Sequence, residues 1–224
     1  MRHTAITAMI LLVTATEVFA ADKKDWYECM FPGDVIGPGI EACTRIIQSG
    51  GQGVRLLVVA YNSRGAQYEA GDSYDRAVAD FTTAIELNPQ DPVAYDHRGD
   101  AYYWKHDYEH AIADFTKVME LSPNYPNVYF NLGVSYKASG AVDLALRYLG
   151  FAIDVNRRDA DAYRMRAKIY QARGDLDRAI ADLDKAAEIW GRGEFPRSAG
   201  YDPHNCLVSD GRWCTEPGRP AEQP

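Results

Sequence analysis

Apolar and small residues recur along this chain at helical spacing, in pairs of segments parted by short polar breaks, and the whole arrangement returns every 34 residues. Tyr61, Tyr95, Tyr129 and Tyr163 mark the period, and a second tyrosine follows each of them seven places later at Tyr68, Tyr102, Tyr136 and Tyr170. Four places after the first tyrosine stand Gly65, Gly99, Gly133 and Ala167. Past the second tyrosine come Ala77, Ala111, Ala145 and Ala179, then Phe81, Phe115, Leu149 and Leu183, then Ala84, Val118, Ala152 and Ala186. Gly71-Asp72, Ser139-Gly140 and Gly174-Asp175 interrupt three copies midway. Each copy therefore predicts a helix, a turn and a helix. Units of this size that cannot bury an apolar face alone stack on their neighbours, which predicts an all-α solenoid.

The pattern resembles the tetratricopeptide repeat, in which an aromatic, Leu-Gly, Tyr, Ala, Phe, Ala and Pro fall at these offsets, and the resemblance covers Val58 to Gly193. Its physical logic can be read from the residues. Gly65 and Ala77 allow two helices to approach closely, and Tyr68 and Phe81 fill the space between neighbouring pairs. Pro89 and Pro123 end the second helices of the first two copies, and Asp91-Pro92 supplies an N-cap and a first-turn proline for the next helix. Arg157 and Gly191 stand where the later copies would carry that proline. The implied organisation is four full repeats at 58–91, 92–125, 126–159 and 160–193, after a stretch at 21–57 and before a tail at 194–224. Asp80 and Asp182 share one repeat phase and read as a solvent face.

Flanking segments add a compartment. Arg2 and His3, the apolar stretch Ala5 to Val18 and the sequence Val18-Phe19-Ala20 read as a secretory signal peptide over residues 1–20, cleaved near Ala20. Position 21 is alanine, so a lipoprotein's acceptor cysteine is lacking there. A periplasmic or secreted location then suits the four cysteines as two disulfides. The pairing Cys29–Cys43 and Cys206–Cys214 is favoured over the two crossed alternatives. Cys29 and Cys43 flank Phe31-Pro32-Gly33 and Gly37-Pro38-Gly39, which read as turns. No Cys-x-x-Cys is present, which argues against redox chemistry. Ile40 to Ile47 looks like the second helix of a partial repeat, with Ala42 and Ile46 at the Ala and Phe phases and Gly50-Gly51-Gln52-Gly53 as its end. Beyond Ile189 helical periodicity is lost, and the tail is expected to be irregular.

Chemistry is sparse. With a net charge of −8 and a pI near 5.1, the chain lacks the basic surface that nucleic-acid binding needs, and no stable membrane insertion is expected of the mature protein. No phosphate-loop, dinucleotide or serine-hydrolase pattern occurs, so neither enzyme activity nor a cofactor is expected. His106, Asp107, His110 and Asp114 form the strongest metal-like cluster, with His97 on the preceding helix. His106 falls at a turn, however, and no metal ligand set is assigned.

What the resemblance implies instead is a binding surface, because the family's concave face comes from its first helices. Carried onto this chain, that face holds Asn62, Glu69, Asp96, Asp100, Tyr103, Trp104, Phe130, Lys137, Arg164 and Lys168. Tyr103, Trp104 and Phe130 are expected to form an aromatic patch, with acidic residues on one side and basic ones on the other. The clamp that chaperone-binding members use on a terminal carboxylate would fall on Asn62, Ala66, His97, Asn127 and Asn131, and lacks its cations. The function expected is a non-catalytic adaptor or scaffold of the bacterial periplasm that binds a peptide segment. The alternatives are a self-associating structural module, or an accessory subunit of an envelope enzyme with a weak metal site. A tail folded back onto the patch through Phe195 or Trp213 would make the protein self-regulating.

Overall fold

A computed structural model describes residues 23–32, 36–125 and 127–191. Among the described residues there are ten α-helices and no strand. They are α1 (Lys23–Met30), α2 (Ile36–Ser49), α3 (Val54–Ala70), α4 (Tyr74–Leu87), α5 (Pro92–Trp104), α6 (Tyr108–Leu121), α7 (Val128–Ala138), α8 (Val142–Val155), α9 (Ala160–Ala172) and α10 (Leu176–Gly191). The signal-peptide residues, Cys206, Cys214, Phe195 and Trp213 lie outside the described residues. The helices fall into two compact units, α1–α6 and α7–α10, divided after Asn124.

In the first unit each helix packs on the next in chain order, and the predicted first two copies are the pairs α3/α4 and α5/α6. The close approach inside each pair has a steric cause. A Cβ on Gly65 would lie 2.7 Å from Phe81 Cε1, and one on Gly99 would lie 2.8 Å from Phe115 Cε1. Both phenylalanines are essentially sealed from solvent. At the turn between the two helices of each copy, one repeat phase takes the left-handed backbone: Asp72 (φ 55°), His106 (φ 62°), Gly140 (φ 86°) and Gly174 (φ 76°). His106 thus ends a helix instead of presenting itself on one. As expected, Asp91 caps α5 by accepting from the Val93 amide at 3.1 Å, with Pro92 in the first turn.

Ahead of these pairs, α1 and α2 are joined by the Cys29–Cys43 disulfide, and Cys29, Ala42, Cys43, Ile46 and Ala60 form one buried cluster with Trp26 and Ile47. Gly37-Pro38-Gly39 is not the turn its composition suggests but the first turn of α2, where a proline costs no helical hydrogen bond. Gly39 also makes room for Gln67, whose buried amide donates to the Cys29 carbonyl at 3.0 Å. That bond pins α1 to α3 across α2. In the second unit α7 packs on α8, α8 on α9 and α9 on α10, with Gly133 meeting Leu149 as Gly65 meets Phe81.

Candidate binding surface

Repetition separates the residues that hold the helices together from those free to recognise something. One structural set was only half visible in the sequence. Arg64, Arg98 and Arg166 each form a two-pronged ion pair with Asp80, Asp114 and Asp182, sixteen residues on, at 2.7 to 2.8 Å. The aspartates are 5–6% exposed, so Asp80 and Asp182 do not mark a solvent face. Their carboxylates are buried because a guanidinium fork satisfies both oxygens. Each arginine also lies over the two tyrosines of its own copy, as Arg98 does over Tyr95 at 5.6 Å and Tyr102 at 6.0 Å. Arg64 and Arg98 reach one helix further back, to Thr44 and Thr82. The third copy carries Leu132 and Tyr148 at the same phases, with Leu132 fully buried and Tyr148 stacked on Tyr136.

Among the residues assigned to the binding face, the first unit holds Asn62, Glu69, Asp96, Asp100, Tyr103 and Trp104. Asn62 is a tie between helices, donating from Nδ2 to Asp91 at 2.9 Å. Glu69 on α3 pairs with His97 on α5 at 3.3 Å, and the imidazole stacks on Phe81 with centroids 5.4 Å apart. The Glu69 hydrogen bond and then the surrounding carboxylates raise the His97 pKa above its ordinary value, against the opposing effect of burial. Burial, with Asp96 and Glu69 close by, pushes Asp100 up to about 7. Trp104 is 55% exposed and stands edge-on to Tyr103, whose ring also meets Tyr108.

The second unit holds Phe130, Lys137, Arg164 and Lys168. Phe130 is half-buried and packs against two buried clusters, one of Ala145, Leu149 and Ile169 and one of Ala152, Ile153 and Ala162, so its ring supports the core of this unit. Arg164 pairs with Asp161 at 2.8 Å and lies over the Trp190 ring. Desolvation, then the charges of Arg164 and Lys137, lower the Lys168 pKa. The three cations therefore share one neighbourhood, as the acidic group does in the first unit.

The histidine cluster read from the sequence does not converge as one ligand set among the described residues. His106 bonds the Tyr108 hydroxyl at 2.8 Å, His110 bonds Asp107 at 2.8 Å, and Asp114 belongs to Arg98. His97 instead converges with Glu69 and Asp100, whose ligand atoms all lie within 4.8 Å of one another. Reading the phases of adjacent first helices against each other would have found that trio.

Family comparison matches this architecture. Models described as tetratricopeptide repeat match residues 58–91 and 130–196, and one described as TPR repeat matches 99–140, together more than half the chain. The chain carries tetratricopeptide repeats. No curated protein sequence matches it significantly. Solved structures with the same fold include a crystal structure of MamA, at 20% identity over 70% of this chain and 90% of that one, with a TM-score of 0.65. Another is MamA residues 41 to the end from Desulfovibrio magneticus RS-1, at 16% identity over 79% of this chain and all of that one, with a TM-score of 0.68. At these identities the likeness concerns the repeat fold alone.

Proposed function

We propose that this protein is a non-catalytic interaction scaffold of the bacterial periplasm, which binds segments of partner proteins on the first helices of its repeats. The observation that carries this reading is chemical divergence at first-helix positions whose residue type the shared repeat packing does not fix. At one phase the copies hold Asn62, Asp96, Phe130 and Arg164, and at another Ala66, Asp100, Val134 and Lys168, while the two Tyr phases are constant, the Gly phase stays small and the Phe phase stays apolar. The first unit offers carboxylates beside an exposed tryptophan, which suits a basic segment with an aromatic or aliphatic anchor. The second offers Lys137, Arg164 and Lys168, which suits an acidic one. An oxidising compartment is supported by the signal-like start of the sequence and by the Cys29–Cys43 disulfide.

Affinity capture from the envelope extract of the source cell tests this. Wild-type protein is expected to retain a discrete partner that Trp104→Ala and Lys168→Glu retain less, each variant being checked for unchanged helicity. Equal retention by all three proteins would remove these residues from the binding surface. Phe130 is unsuited to this test because truncating it would disturb the core.

A further inference from the structure

We propose that Glu69, His97 and Asp100 form a three-ligand site for a first-row divalent transition-metal ion, of which Zn2+ is the natural probe. The ligands come from two adjacent helices of the first unit: His97 and Asp100 lie one turn apart on α5, and Glu69 faces them from α3. One ligand atom from each already lies within 4.8 Å of the others, and His97 Nδ1 stands 3.3 Å from Glu69 Oε2. Ligands about 2.0–2.2 Å from a tetrahedral Zn2+ are separated by roughly 3.4 Å, so modest side-chain rotations close the set.

The imidazole is held in place from below. Its ring stacks on Phe81, which is fully buried and locked against Gly65. No hydrogen-bond donor engages the Asp100 side chain among the described residues, and its half-buried position keeps it from being simply a solvated carboxylate.

The copies show that the fold does not demand this chemistry. Within the second unit the corresponding phases hold Lys137, Met165 and Lys168 in place of Glu69, His97 and Asp100, and the helix pairs close in the same way. An acid, an imidazole and a second acid at one junction are therefore additions to the scaffold. A nitrogen ligand beside two carboxylates favours Zn2+, Co2+ or Ni2+ over Mg2+ and Ca2+, which prefer all-oxygen sets. Three protein ligands leave a coordination position open to water or to a partner's side chain.

The test uses the full chain without a histidine tag, freed of metal by dialysis against a chelator. Zn2+ is titrated in competition with a chromophoric chelator, and Co2+ is followed by its visible absorption. One equivalent is expected to bind, with Mg2+ unable to displace it. His97→Ala, and the near-isosteric Glu69→Gln as a gentler variant, should each weaken binding at least about tenfold, since even a residue that only orients a ligand is worth about 10–100-fold. His110→Ala should bind as wild type does. Absence of saturable one-to-one binding would overturn the proposal. So would equal affinity in wild type, His97→Ala and Glu69→Gln, displacement by Mg2+, or loss of binding in His110→Ala. The readout needs no protein partner, so it stands or falls separately from the scaffold function.

Discussion

Asp114→Ala is expected to lower the unfolding free energy by about 3–5 kcal/mol, because it strands the Arg98 guanidinium in a largely buried position. The Asp114 side chain is 7% exposed and that of Arg98 18%, and both carboxylate oxygens accept from the guanidinium at 2.8 Å. Arg98 cannot lose its proton to escape the cost. The chain also carries its own design for replacing the pair, in Leu132 and Tyr148 of the third copy. Arg98→Leu with Asp114→Tyr should therefore be less destabilising than Asp114→Ala alone, since the charge and its partner leave together. Urea unfolding followed by helicity measures both variants. A double variant as unstable as the single one would mean that the pair contributes net attraction beyond satisfying buried charges.

The second large effect is expected from Phe115→Ala, which should cost about 3–5 kcal/mol by removing a ring that is 1% exposed and leaving a cavity against α5. Its partner is Gly99, where an added Cβ would meet the ring at 2.8 Å. Gly99→Ala alone is thus expected to destabilise by overpacking, by about 1–3 kcal/mol, despite alanine's better helix propensity. With Phe115 already truncated, the same change should become neutral or stabilising. The fourth copy points the same way, pairing Ala167 with the smaller Leu183 in place of glycine with phenylalanine. A double-mutant cycle reads the coupling directly. Additive effects would show that the two residues do not share one packing site.

Most of the fold was legible because its determinants are local and recur. Small residues at Gly65, Gly99 and Gly133, aromatic or aliphatic plugs at Phe81, Phe115 and Leu149, and a cap at Asp91 are each visible as a spacing. The first turn of α2 was not, because glycine and proline there report the start of a helix as readily as a loop. Asp80 and Asp182 were misread for a related reason. An aspartate's burial depends on whether a cation reaches it, and Arg64 and Arg166 lie on a different helix. The same limit applies to the trio of Glu69, His97 and Asp100, since Glu69 and His97 are 28 residues apart and become neighbours only through the stacking of α3 and α5. Phe130 has a structural part that the sequence did not show. Its phase assigns it to a binding face, while its size makes it useful to the core of the second unit.

Site-resolved photocrosslinking in the source cell tests the central claim most directly, that partners bind on the first helices of the repeats. A photoreactive amino acid is placed at Trp104 and at Lys168, both exposed on first helices, and for comparison at Ala113 and Lys185, both exposed on second helices. A discrete crosslinked partner at Trp104 or Lys168, absent at Ala113 and Lys185, is the result predicted. Crosslinks of equal yield at all four positions, or at Ala113 and Lys185 alone, would contradict it.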